Sequence, residues 1–350
     1  MNTPHRITAD DVDALAAGAL LLGSGGGGAV ALGRQLLHRL LGRPSAVRLV
    51  PAAELPPEAL VVHAGVVGSP DVLGERLLNP ADLAAAASAV AGYVGGELSA
   101  LGVIEIGGLN GPVGVLAAAE LGLPLVDGDL MGRAFPRIDQ STLALAGCPI
   151  TPLALVNPAG DTVLVPRCAA SMVQPLVSAT VGAMGGAAVL ALFPSRAGVL
   201  AEHGVAGSVS ACLELGRNFL AAIASGVEPE LLVDRIGGRV LADGQVDEVR
   251  PRQGGALGAM TVTDRSGSTV RIDHLDEFLA VTVDGAVAAA TPEVIVAMDA
   301  SGRAVVRTDQ VHTGQRLVVF TLPALHRWRA NEIDRVGPSG FGLHLEVSAS

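Results

Sequence analysis

Two acids and an arginine stand close together in LVDGDLMGRAFP, residues 125–136. Asp127 and Asp129 close an apolar run that reads as a buried strand, and Arg133 follows four residues after Asp129. Neighbouring carboxylates repel, which raises the pKa of one of them and suits general acid–base work or binding of a divalent cation. Arg133 could balance that charge or grip a substrate carboxylate with its planar fork; the same residues could equally form a structural Asp–Arg brace. A third acid, Glu105, stands in EIGGLN, residues 105–110. It lies near the carboxyl end of another apolar strand, where α/β sheets bind ligands. Glycines beside it admit close approach, and the amide of Asn110 can both donate and accept. Glu105 could instead cap or brace the turn.

A glycine run, GSGGGG, occupies residues 23–28. Gly23, Gly25 and Gly28 satisfy the spelling of a dinucleotide fingerprint, but that fingerprint must follow a strand. The residues before it read as a helix, and Glu54 is the nearest acid to the place where a ribose-binding carboxylate belongs. No nucleotide cofactor is therefore expected. The run does precede a helix, so the backbone of Ser24, Gly25, Gly26, Gly27 and Gly28 could hold an anion or a carbonyl oxygen at the helix N-terminus. A tight turn packed against backbone is the alternative. Ser24 lacks a G-x-S-x-G context, which argues against a serine hydrolase.

The other chemistry-bearing residues are sparser. His63 sits in an apolar strand, where a satisfied core histidine is commoner than a ligand, and no HExxH or HxH occurs. Asp127, Asp129 and His63 are the candidate ligands if a divalent metal such as Zn is present. Cys148, Cys168 and Cys212 are far apart and contain no CxxC, so a disulfide framework is not indicated and a reducing cytoplasm fits. All 23 basic residues are Arg, which excludes a P-loop lysine, a pyridoxal Schiff base and a lysine general base. A net charge of −11 argues against nucleic-acid binding.

These residues need elements to position them. Thr8 or Asp10 can cap a helix running to Leu21, and a second helix spans about 29–41. Strands at 46–50, 59–68, 101–108 and 123–129 alternate with helices at 80–92 and 111–122, which predicts a parallel or mixed α/β sheet. Residues 170–226 read as largely helical. Beyond 230 the text becomes strand and turn, with Asp-Gly at 243–244 and 284–285 and Ser-Gly at 266–267 and 301–302 as punctuation. The expected organisation is an α/β domain over 1–165, then a helical connection and a β-rich domain over 166–350. Residues 168–195 and 140–160 carry no charge. Their prolines and glycines and the lack of an aromatic belt favour buried core or a subunit interface over a membrane span. The start of the chain has no apolar signal-peptide core, so a cytoplasmic homo-oligomer is expected.

Several of these motifs together resemble the S-methyl thiohydantoin desulfurase family. GSGGGG, EIGGLN, PLVDGDLMGRAFP and the later TPEVIVAMD, TGQRLVVF and VGPSGFGL carry the likeness, from about Asp11 to Gly342. The text departs from the family's usual pattern at Val61–Gly65, around His63, and at His203–Ser208. The resemblance implies an α/β domain followed by a β-rich one, and hydrolytic removal of sulfur from a thiohydantoin or S-methyl thiohydantoin ring, leaving a hydantoin. On that reading Glu105, Asp127 and Asp129 supply the general base and acid, either directly or through a bound metal. The amides of Gly25–Gly28 hold the developing anion, Ser24 and Asn110 help bind the substrate, and Arg133 orients a substrate carboxylate. Relatives commonly accompany hydantoinase or oxoprolinase genes. A cyclic imide or hydantoin ring-opening hydrolase, or a non-catalytic partner subunit of a hydantoinase or oxoprolinase, are therefore the alternatives.

Overall fold

In a computed structural model, which describes residues 6–42, 46–75 and 78–345, the first turn is closed by Thr8. Its amide and hydroxyl both donate to the carboxylate of Asp11, at 2.9 and 3.1 Å, and helix α1 (Val12–Leu22) follows. This helix is apolar on nearly every side because it is covered on nearly every side. Its closest neighbour is the helix Ser208–Ala224. The two backbones touch where Gly216 faces Ala14 and Gly18 faces Cys212, places where any added Cβ would collide.

The other helices that frame the site are α2 (Val30–Leu41), α3 (Pro70–Glu75), α4 (Pro80–Val94) and α5 (Asn110–Leu121). The strands are β1 (Arg6–Ile7), β2 (Val47–Val50), β3 (Leu60–Gly68), β4 (Leu98–Val103), β5 (Leu125–Val126), β6 (Gly128–Asp129), β7 (Leu153–Val156), β8 (Thr162–Val165), β9 (Ala187–Arg196) and β10 (Val205–Ala206). All but β6 and β10 form one mixed sheet in the order β1-β2-β5-β4-β3-β9-β7-β8. Strands β2, β5, β4 and β3 run parallel, and β9 pairs antiparallel to β3. Apolar side chains cover both faces, in two separate clusters, which is why these strands read as continuous apolar runs and not as alternating ones.

The largely helical reading of residues 170–226 changes here. The uncharged stretch from 168 is not all helix: it makes the helix Ala170–Ala183 and then β9, which inserts into the first sheet although it lies beyond residue 165. No helix among the described residues is long and apolar enough to cross a membrane.

The second sheet is antiparallel throughout. Its strands are β11 (Arg239–Arg250), β12 (Gly258–Asp264), β13 (Thr269–His274), β14 (Phe278–Val283), β15 (Ala286–Ala290), β16 (Val294–Asp299), β17 (Val305–Val306) and β18 (Arg316–Leu322), in the order β15-β14-β13-β12-β11-β18-β16-β17. Asp284–Gly285 forms the turn between β14 and β15 with both residues left-handed, at φ 49° and 86°, as an Asp-Gly hairpin requires. The other Asp-Gly pair is not a turn. Asp243 and Gly244 lie inside β11, flanked by β12 and β18. A guanidinium fork from Arg316, at 3.0–3.1 Å, neutralises Asp243 there. A side chain at Gly244 would strike the backbone of Thr263.

Strands β16 and β18 join the two domains. Val294, Val296, Met298, Val318 and Phe320 face the cluster that contains α1, while the alternating Ile295, Ala297, Leu317 and Val319 face the second domain's own core. One apolar cluster therefore belongs to both domains. Replacing the fully buried Phe320 by alanine is expected to cost about 3–5 kcal/mol. Denaturant unfolding followed by circular dichroism and by Trp328 fluorescence should show both signals shifting together.

Candidate active site

Four segments meet between the domains: the glycine run after α1, EIGGLN after β4, the stretch from Asp129 to Ile138, and the turn Leu275–Glu277 between β13 and β14. They enclose a cleft of about 160 Å³.

The glycine run is a hydrogen-bonded junction and follows a helix, not a strand. Its carbonyls and one side chain are committed on both sides. Ser24 accepts at its carbonyl from Phe278 N–H at 2.7 Å, and Gly25 accepts from Thr308 N–H at 3.0 Å. The Ser24 hydroxyl donates to the Ile295 carbonyl at 2.8 Å and accepts from the Ile295 amide at 3.1 Å. Toward the first domain, the Gly27 carbonyl accepts from Leu109 N–H at 2.7 Å. Residues 24, 25, 27 and 28 all hold positive φ, between 49° and 84°, and glycine adopts that backbone at no steric cost. Packing is a second reason for glycine: a side chain at Gly25 would enter the Phe278 ring, and one at Gly26 would strike the Glu277 carboxyl. Gly27 and Gly28 line the cleft just ahead of α2. Among the described residues their N–H groups have no hydrogen-bond partner.

Glu105 is buried in the cleft wall and aimed by two donors. Asn110 Nδ2 reaches Oε1 at 2.6 Å, and the Phe135 amide reaches Oε2 at 3.1 Å. Asn110 is itself fixed, because its Oδ1 accepts from Val66 N–H at 2.7 Å. Burial pushes the Glu105 carboxyl up to about 7, and Asp129 adds to the shift; the bonds from Asn110 and Phe135 and the charge of Arg133 oppose it. Glu277 faces the same cleft from the second domain and is only 3% exposed. Burial, then repulsion from Asp276 and Glu105, raises its carboxyl to about 8, against the pull of Arg133. Its Oε2 has no partner among the described residues.

The acids of LVDGDLMGRAFP lie outside this cleft. Asp129 accepts at Oδ2 from the amides of Ile106, Met131 and Gly132 at 2.8–3.1 Å, which binds EIGGLN to the following turn. Its Oδ1 has no partner among the described residues, and burial lifts its carboxyl to about 6. Asp127 points elsewhere, accepting from the amide and hydroxyl of Ser210 at 3.0 and 2.6 Å. It thereby serves the first turn of the helix Ser208–Ala224, whose own N-cap residue is Gly207. Arg133 gives its guanidinium to the carbonyls of Ala134, Glu293 and Phe278 at 2.6–3.3 Å, over the Phe135 ring. Burial lowers it to about 10, so it remains charged at neutral pH. The cation that lines the cleft is instead the half-buried Arg137, paired with Asp139 at 3.0 Å.

The three candidate metal ligands do not form a metal site. His63, Asp127 and Asp129 border a separate cavity of about 20 Å³. His63 Nδ1 lies 3.0 Å from the Phe193 carbonyl, and burial lowers the imidazole to about 4. The Asp127 oxygens and Asp129 Oδ2 already accept from protein donors. No group of three or more His, Cys, Asp or Glu side chains among the described residues could hold a metal ion.

Of the residues singled out by sequence, the cleft brings together Gly27, Gly28, Glu105 and Asn110. Ser24, Gly25, Gly26, Asp129 and Arg133 frame it from behind. Glu277 escaped the sequence reading. In HLDEFLA it is one acid in a strand-and-turn text, and only the docking of the second domain brings it opposite Glu105.

Fold and site together define a two-domain protein with a cleft between an α/β domain and an antiparallel β domain, lined by apolar side chains and two buried carboxyls. The chain belongs to the S-Me-THD-like family: its N-terminal domain profile matches residues 10–167 and its C-terminal domain profile residues 169–349. This is the S-methyl thiohydantoin desulfurase family that the motifs resemble. A crystal structure of a protein from Chromobacterium violaceum shares the fold, with a TM-score of 0.78 and 23% identity over 94% of this chain and 93% of that one. No curated protein matches the sequence.

The two acids flanking Gly128 should therefore be separable by stability. Asp127→Ala is expected to cost about 0.5–2 kcal/mol, as loss of a helix cap does. Asp129→Ala leaves three buried N–H groups unpaired and should cost more, at about 1–3 kcal/mol for each unsatisfied donor. Urea denaturation of both variants measures the difference.

Proposed function

We propose that this protein is a hydrolytic desulfurase acting on a thiohydantoin or S-methyl thiohydantoin ring, with Glu105 as the general base. The observation that carries the reading is the buried Glu105 carboxyl, held by Asn110 and the Phe135 amide in the wall of the cleft, in a chain of S-Me-THD-like type. The ring carbon bearing sulfur is electrophilic. Water held against Glu105 loses a proton to the carboxylate as its oxygen bonds to that carbon. The pair displaced onto the ring nitrogen develops negative charge, and the unpaired amides of Gly27 and Gly28 at the start of α2 stand where they can receive it. Apolar side chains of Val66, Ile104 and Met131 in the cleft wall suit a flat, weakly polar ring. A base near 7 fits work at neutral pH, because it is partly ionised and still basic enough to accept a proton. No step requires a metal.

Thiol release from a panel of S-methyl thiohydantoins, read with a thiol reagent, tests this. Glu105→Gln keeps an acceptor for the Phe135 amide but cannot take a proton, and should lower kcat about 10²–10⁴-fold. In the wild type the rate should rise as pH climbs through about 7 and Glu105 ionises. The Asn110 bond pulls that pKa down, so Asn110→Ala should move the rising limb to higher pH. Consumption of hydantoin rings without any thiol release would replace this reading with ring opening.

A further inference from the structure

Of the two buried carboxyls lining the cleft, only Glu105 has a role in the steps above. We propose that Glu277, supplied by the β-rich domain, is the general acid that protonates the departing sulfur, so that neither domain alone holds a complete active site. The proposal rests on the desulfurase reading.

Geometry carries it. Glu277 stands in the cleft wall formed by the second domain, and the next residue anchors it, because the Phe278 amide donates to the Ser24 carbonyl at 2.7 Å. The glycine run is shaped around the carboxyl, since a side chain at Gly26 would occupy its place. A buried glutamate with only a structural role is normally paired. Here Oε2 has no partner among the described residues, and no cation bonds to the group. Arg133, the charged neighbour that attracts it, has its donors on carbonyls. Asp276 is occupied by Arg252 at 2.9 Å, and Arg137 by Asp139. Burial raises the Glu277 carboxyl to about 8 and repulsion from Asp276 and Glu105 adds to it, whereas Glu105 has two hydrogen-bond donors that favour its ionised form. One carboxyl that ionises first and a neighbour that keeps its proton make a base and an acid in one site.

The steps balance for an S-methyl thiohydantoin. Water oxygen bonds to the ring carbon, its proton passes to Glu105, and the C=N pair moves to nitrogen. That pair then re-forms C=N as the C–S bond breaks, and the leaving methylthiolate takes the Glu277 proton and departs as methanethiol. The hydroxyl proton of the enol-like product returns to Glu277, while the ring nitrogen takes the proton held by Glu105. Hydantoin is left and both carboxyls are restored.

The test compares two leaving groups on the full-length protein. Glu277→Gln should lower kcat for the S-methyl substrate about 10²–10⁴-fold with KM nearly unchanged. The falling limb of the wild-type pH profile near 8 should disappear. For an S-(4-nitrophenyl) substrate, whose thiolate leaves without a proton, the same variant should stay within about tenfold of the wild type. That retained turnover also shows that the variant is folded. Equal loss on both substrates, or no loss on either, overturns the proposal. Wild-type protein releasing thiol from neither substrate overturns the desulfurase reading instead, and this proposal with it.

Discussion

The backbone of residues 23–28 is gripped from both sides, and the cleft depends on that grip. Phe278 and Thr308 bond it from the second domain, Leu109 bonds it from the first, and Ile295 holds the Ser24 hydroxyl. A chain passing this close to two others has no room for side chains at Gly25, Gly26 and Gly27, and the positive φ angles at Gly25, Gly27 and Gly28 suit glycine. The same packing that closes the turn brings the Leu275–Glu277 turn over the end of β4. Were the run a loose linker, Glu105 and Glu277 would belong to two separate surfaces. The shared apolar cluster of α1, β16 and β18 supports the junction from behind.

Burial then sets the chemistry. A carboxyl removed from water resists ionisation, and each acid near the cleft is handled differently. Asp129 is held by three amides and stabilises a turn. Glu105 has two donors and sits near neutrality. Glu277 has the least support and is raised furthest of the three. Arg133 lies within reach of the field of both glutamates while its N–H groups go to carbonyls. It tempers their repulsion without forming a salt bridge that would hold either one ionised.

Much of this was legible in the sequence. Apolar runs alternating with helices announce a buried mixed sheet, and the later turn-punctuated text announces an antiparallel one, because both patterns follow from which faces are covered. The importance of GSGGGG and EIGGLN was also visible, since such glycine density implies close backbone approach. Pairings between distant segments were not visible. Asp127 and Asp129 look like a coupled pair at a spacing of two, but β5 stops at Val126 and β6 pairs with β10. The two side chains therefore serve different helices and turns. Asp243–Gly244 reads as a turn, and Arg316, far along the chain, makes it strand. Glu277 becomes informative only when its domain docks, and no local spacing records that event.

The account turns on water attacking the ring carbon that bears sulfur, with the ring kept intact. Turnover of an S-methyl thiohydantoin in ¹⁸O-enriched water, followed by mass spectrometry of the product, tests this directly. The account predicts a closed hydantoin carrying one ¹⁸O in the carbonyl that replaces sulfur, formed in step with methanethiol. Unlabelled hydantoin, or label found in a ring-opened acid, would contradict it.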